Sequence, residues 1–186
     1  MIELVHDYRK RAHDPKIETR GVDPAMSISP EGAGIGISKR DKVFISYSHK
    51  DYNAFEQLKT MLAPVVRSGK IEAWDDTKIA PGAKWKDEIR SALEAAKVAV
   101  LLVSENFLAS DFIDKHELPP LLTAAQDNGV IVFWIYLRPC LYQETEIAAY
   151  QAAHDVGKAL SQLSRPKRQQ VLSQICAKLV QVAQSP

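Results

Sequence analysis

Cysteine is scarce: Cys140 and Cys176 are the only two in 186 residues, and they form no C-x-x-C pair. A disulfide framework and a cysteine metal cluster are both excluded, and the pair reads as packed or free thiols of a cytosolic chain. Net charge is nearly absent as well. Against 24 Lys and Arg stand 23 Asp and Glu, a formal charge of +1, which leaves no electrostatic footprint for nucleic acid or an anionic membrane. No apolar run approaches the ~20 residues of a membrane span, and the start has no signal-like apolar region. The expectation is a cytoplasmic chain without its own membrane anchor. The five histidines are scattered. His116-Glu117 begins like a zinc motif, but Pro120 stands where the second His belongs.

What is present is enough apolar residue, 46%, for a sizeable core in one domain with a tail. Residues 1–40 differ from the rest, being charge-rich at first and then carrying Pro and repeated Gly. They read as an N-terminal extension or linker, with the domain over residues 41–186. Gly32-Ala33-Gly34-Ile35-Gly36 lacks the strand before it and the helix after it that a dinucleotide loop requires, and reads as a joint.

The domain is organised around DKVFISYSHKD, Asp41 to Asp51. Val43 to Ser46 reads as a buried strand, and Ser48-x-x-Asp51 has capping-box spacing, which predicts a helix start. Phe55, Leu58, Leu62 and Val65 extend that helix from Asp51 to Arg67, with Pro64 expected to distort its last turn. A short strand, Ile71 to Trp74, runs into Asp75-Asp76 and a loop with a Pro81-Gly82 tip. Trp85, Ile89, Leu93 and Ala96 predict a second helix. VAVLLV (Val98 to Val103) and VIVFWIYL (Val130 to Leu137) are apolar throughout, as strands buried on both faces are. Between them Phe107 to Asp127 reads as an irregular helix that Pro119-Pro120 must interrupt or restart. Residues 141–153 fit either a helix or an edge strand near Ile147 to Tyr150. A last helix, Pro166 to Val182, buries Val171, Leu172, Ile175 and Leu179. The order of elements predicts an α/β, flavodoxin-like open parallel sheet of about five strands, ordered 2-1-3-4-5, with helices on both faces. Ligands bind such sheets beyond the strand carboxyl ends. Tyr47 to His49, Trp74 to Asp76, Ser104 to Asn106 and Arg138 fall there.

Several acids are candidates for chemistry. Asp75-Asp76 invites a Mg²⁺ reading, but strand one ends without an acid and strand three offers only Glu105, so no metal is expected. Glu105 reads as a first-turn helix acid, and His49 as a solvent-edge residue. No Ser-His-Asp or Cys-His arrangement is legible.

Taken in order, FISYSHKD (Phe44 to Asp51), AWDD (Ala73 to Asp76), APGAKWKDEIRSAL (Ala80 to Leu93), VAVLLVSENFLASDF (Val98 to Phe112) and the Glu117-Leu118-Pro119 turn resemble a TIR domain of the bacterial type. The resemblance spans about Lys42 to Val182. It implies one of two functions. Some TIR domains are scaffolds that self-associate and recruit other TIR or sensor domains. Others cleave NAD⁺ to nicotinamide and ADP-ribose or a cyclic ADP-ribose, often in bacterial immunity. By that resemblance Glu117 is the catalytic carboxylate, and Tyr47, Ser48, Trp74, Asp75, Lys78, Trp85 and Phe112 line or support the NAD⁺ pocket. NAD⁺ is then substrate, with no further cofactor and no metal. TIR–TIR contacts through the Lys78–Gly82 loop are implied for activation. One departure stands out: several active members carry Trp where this chain has Ile113.

Overall fold

The structure is a computed structural model that describes residues 42–79 and 84–185. The expected extension over residues 1–40, the Gly32–Gly36 joint and the Pro81-Gly82 tip lie outside them.

Strand β1 (Lys42–Ser46) leads through a 3₁₀ turn at His49–Asp51 into helix α1 (Tyr52–Arg67). Strand β2 (Glu72–Trp74) is followed by a 3₁₀ turn at Asp76–Lys78 and helix α2 (Trp85–Glu94). Strand β3 (Ala96–Val103) ends in a four-residue helix α3 (Glu105–Leu108), a π-turn at Ile113–Glu117 and helix α4 (Leu118–Asn128). After strand β4 (Ile131–Tyr136) come 3₁₀ turns at Tyr142–Glu144, Glu146–Ala149 and Leu160–Gln162, then helix α5 (Arg165–Gln184). The four strands pair in parallel in the order β2-β1-β3-β4. The fold is the expected flavodoxin-like sheet. At the place of a fifth strand a single parallel bridge joins Trp134 to Ala152, two residues beyond the expected edge segment. That segment instead coils into a 3₁₀ turn because Ile147 is needed in the core, where it is fully buried.

Alternation along β1 sends Val43, Ile45 and Tyr47 to one face and Phe44 to the other. The first face is covered by α1 and α5 through Phe55, Leu58, Leu62, Leu172, Ile175 and Leu179. The second is covered by Ile89, Phe107, Ile113 and Leu121 of the other helical segments. All of Val98 to Val103 is buried, which is why that strand reads as continuously apolar.

One local expectation needs correction. Ser48 caps by its backbone, accepting from the Asp51 N–H at 2.7 Å, and its hydroxyl makes no capping bond. Helix α1 runs to Arg67 as expected, and the Pro64 carbonyl accepts from Ser68 N–H at 3.1 Å beyond its end. Pro119 and Pro120 restart the helix, one of the two expected outcomes. They fall in the first turn of α4, where missing N–H groups cost nothing, and the chain ahead of them is wound into the π-turn.

Candidate functional site

The π-turn fixes the position of Glu117. Its last residue faces back toward the carboxyl end of β1, where Ser46 points to the same side of the sheet as Phe44. The Ser46 hydroxyl donates to Glu117 Oε2, 71 residues away in the chain. Glu117 is only 8% exposed, and burial pushes its carboxyl from an ordinary 4.5 up to about 7. The nearby Asp76 carboxylate adds to that rise, while the Ser46 hydrogen bond and His49 oppose it.

Asp76 gathers the next layer. Tyr47 Oη donates to Asp76 Oδ1 at 3.1 Å, and His49 Nε2 lies 2.6 Å from Asp76 Oδ2. The Tyr47 ring is stacked on Phe55 at 4.1 Å and on His49 at 5.7 Å, which holds its hydroxyl on Asp76. Burial first, and Asp76 second, drive the Tyr47 pKa upward. The phenol is a fixed neutral donor there.

The residues named from the sequence divide. Glu117 and Tyr47 come together with Ser46, Asp76 and His49 in one electrostatically coupled group. Ser48 is buried at the start of the turn beside them. Trp74 stacks on Phe44 at 5.3 Å and 12°, which makes it an anchor of β2 with one exposed flank. Asp75 is turned inward, accepting from Thr77 N–H at 3.1 Å and from the Thr77 hydroxyl, so it caps the Asp76–Lys78 turn. Lys78 folds back to donate to the Ala73 carbonyl. Phe112 meets His116 at 5.3 Å, and Ile113 is buried in the second core face. Trp85 is the first residue of α2; its side chain lies outside the described residues.

Sequence reasoning missed Ser46 and undervalued Asp76, His49 and Asp51. The signal for Ser46 was available: a hydroxyl inside an apolar strand must find a partner. Asp51 is the centre of a second polar cluster. Its fully buried carboxylate takes Ser104 Oγ at 2.5 Å, Asn106 Nδ2 at 3.3 Å and Arg138 Nε at 3.0 Å. Ser104 Oγ also accepts from Phe107 N–H at 3.0 Å, capping α3, and Glu105 lies 4.0 Å from Arg138 Nη1. This ties the ends of β1, β3 and β4 together. Among the described residues no group of three or more His, Cys, Asp or Glu is placed to hold a metal ion, and no helix is long and apolar enough to cross a membrane.

An open parallel sheet with polar groups gathered along its carboxyl edge defines a class of α/β domain. Comparison with known proteins gives the family. The TIR domain family matches residues 43–164, and the chain belongs to it. An uncharacterized protein, y4lF, of Sinorhizobium fredii (strain NBRC 101917 / NGR234) is 32% identical over 120 residues, covering 64% of this chain. The match spans 37% of that relative's length. Among solved structures, the TIR domain of the Toll-related receptor TRR-2 from Hydra magnipapillata is similar at 20% identity and a TM-score of 0.44. It covers 59% of this chain and 82% of its own.

Proposed function

We propose that this TIR domain cleaves the nicotinamide–ribose bond of NAD⁺, with Glu117 as the carboxylate that stabilises the transition state. The observation that carries the reading is Glu117 itself: a buried carboxyl at the sheet's carboxyl edge, raised to about 7 and oriented by Ser46. Perturbed acids of this kind concentrate at functional sites.

The chemistry suits a single carboxylate. As the C1′–N bond breaks, its electron pair passes to the pyridinium ring, and nicotinamide leaves neutral without an acid to protonate it. Positive charge moves onto the ribose as an oxocarbenium ion. A carboxylate ~4 Å away is worth about 4 kcal/mol at an effective dielectric constant of ~20, roughly a thousandfold in rate. The cationic substrate favours the ionised form of Glu117, so binding draws its pKa down toward the catalytic state. Water then attacks C1′ and loses a proton to give ADP-ribose; attack by an atom of the same molecule gives a cyclic isomer. Tyr47 and Asp76 fix the wall on which the ribose rests, with Ser48, Trp74 and Phe112 as further flanks. Asp75 and Lys78 support the turn.

Glu117 is buried in one chain, so a dinucleotide reaches it only with movement of the groups around it. Self-association through TIR–TIR contacts supplies that movement in this reading, so activity rises with protein concentration. The same enclosure is the observation that favours a non-catalytic interaction module as the second reading. Chromatography of NAD⁺ incubated with concentrated wild-type and Glu117→Gln protein decides between them. Nicotinamide release that falls roughly a thousandfold in the variant is the expected result. Equal rates in the two proteins would overturn the assignment of Glu117. No release at any concentration, with association intact, would leave the interaction module.

A further inference from the structure

A cleft of about 130 Å³ opens on the α1–α5 face of the sheet, away from the face on which the Glu117 turn packs. Its floor is apolar, formed by residues such as Leu58, Leu102 and Ile135, and its polar lining is Asn53, Gln57, Arg138, Ser161 and Arg168. The two guanidinium groups come from separate elements, Arg138 from just past β4 and Arg168 from the first turns of α5.

Both arginines are poised for an anion. Arg138 is held at Nε by the buried Asp51 carboxylate at 3.0 Å, and Glu105 lies 4.0 Å from its Nη1. The fork is thus pre-set, with 46% of the side chain still exposed. Arg168 is half-buried, and its side chain has no partner among the described residues. The start of α5 is electrostatically odd. Arg165, Lys167 and Arg168 crowd the end of a helix that disfavours cations, and no acid occupies its first turn. The sequence accepts this local cost at the rim of the cleft. An anion seated there would offset it.

Size selects the ligand. At about 130 Å³ the cleft is well below the ~300 Å³ at which drug-sized sites begin. A dinucleotide does not fit, whereas one tetrahedral phosphoryl group does. Two guanidinium groups suit its oxygens in charge and hydrogen bonding. We infer that this cleft binds the phosphoryl group of inorganic phosphate or of a phosphomonoester, held between Arg138 and Arg168.

The test is calorimetric titration of the full chain with inorganic phosphate at constant ionic strength, so that screening is unchanged. Three proteins are compared: wild type, Arg168→Glu and Arg165→Glu. The last carries the same charge change on the same exposed helix turn, outside the cleft. Arg138 is left intact because removing it strands Asp51. Saturable binding that weakens at least tenfold in Arg168→Glu and less than threefold in Arg165→Glu is expected. Absence of saturable binding to 20 mM phosphate would overturn the inference, and so would equal weakening in the two variants. Glycerol 3-phosphate and phosphatidate vesicles identify the source of the group. Co-sedimentation with vesicles that free phosphate competes away supports a lipid headgroup. Binding of the soluble ester alone supports a soluble phosphomonoester.

Discussion

Two buried carboxylates sit at the same edge of the sheet and are treated in opposite ways. Asp51 is surrounded by a guanidinium, a hydroxyl and an amide, which together knit three strand ends. Glu117 receives one hydroxyl from Ser46 and is otherwise enclosed, with the Asp76 carboxylate nearby raising its pKa further. A buried charge that is paired and hydrogen-bonded holds a fold together; one left under-compensated holds its proton to an unusually high pH instead. The contrast teaches that neither burial nor charge marks out the candidate acid. The deficit of partners does.

The largest effect is expected at the satisfied cluster. Arg138→Met leaves the Asp51 carboxylate buried without its cation and should cost about 3 kcal/mol, the low end for a broken buried pair because Ser104 and Asn106 remain. Chemical denaturation measures it. Adding Asp51→Asn to the same protein removes the stranded charge and should recover at least half of the loss. If the double variant is no more stable than Arg138→Met, the cluster is not the anchor described here.

Glu117→Gln should do the reverse and stabilise the domain. The folded protein keeps the Glu117 proton up to about pH 7, whereas the unfolded chain releases it near 4.5. The unfolded state therefore binds fewer protons between those values, and wild-type stability falls as pH rises through that window. At 1.36 kcal/mol per unit the ceiling is ~3 kcal/mol, and Gln still accepts from Ser46, so a gain of about 2 kcal/mol at pH 8 is expected. The gain should fade as pH falls toward 4.5. A variant no more stable than wild type at pH 8 would show that Glu117 is better solvated than its burial implies.

Ser46→Ala removes the hydrogen bond that lowers the Glu117 pKa. Carboxyl titration followed by NMR should move upward by about one unit, the value of one hydrogen bond to a charged acceptor. His49→Gln removes a weaker, half-exposed influence of the same sign. Its shift should be roughly a few tenths of a unit and should shrink with added salt.

How much of this was legible beforehand follows from which interactions are local. Strand order could be read because β3 and β4 are apolar throughout and the helices after β1 and β2 are periodic. Glu117 could be read from its resemblance to the family pattern and its place before Leu118-Pro119. Its partner could not: Ser46 lies 71 residues away, and only the folded sheet brings a strand-one hydroxyl against a turn after strand three. Asp51 was misread for the same reason. Capping-box spacing is local information, and it was outweighed by Ser104, Asn106 and Arg138, whose proximity is tertiary. The Asp75-Asp76 pair looked symmetrical in sequence, yet the 3₁₀ turn sends Asp75 inward to Thr77 and Asp76 outward to Tyr47 and His49.

The central claim is that the partner-poor Glu117 is the reacting carboxylate, and the pH dependence of nicotinamide release tests it most directly. For wild-type protein at high concentration, kcat/KM for NAD⁺ should rise tenfold per pH unit below about 7 and level off above it, as the free carboxyl ionises. Glu117→Gln should lose that limb together with most of the activity. A profile flat through this range in wild type, or one unchanged in the variant, would contradict the account.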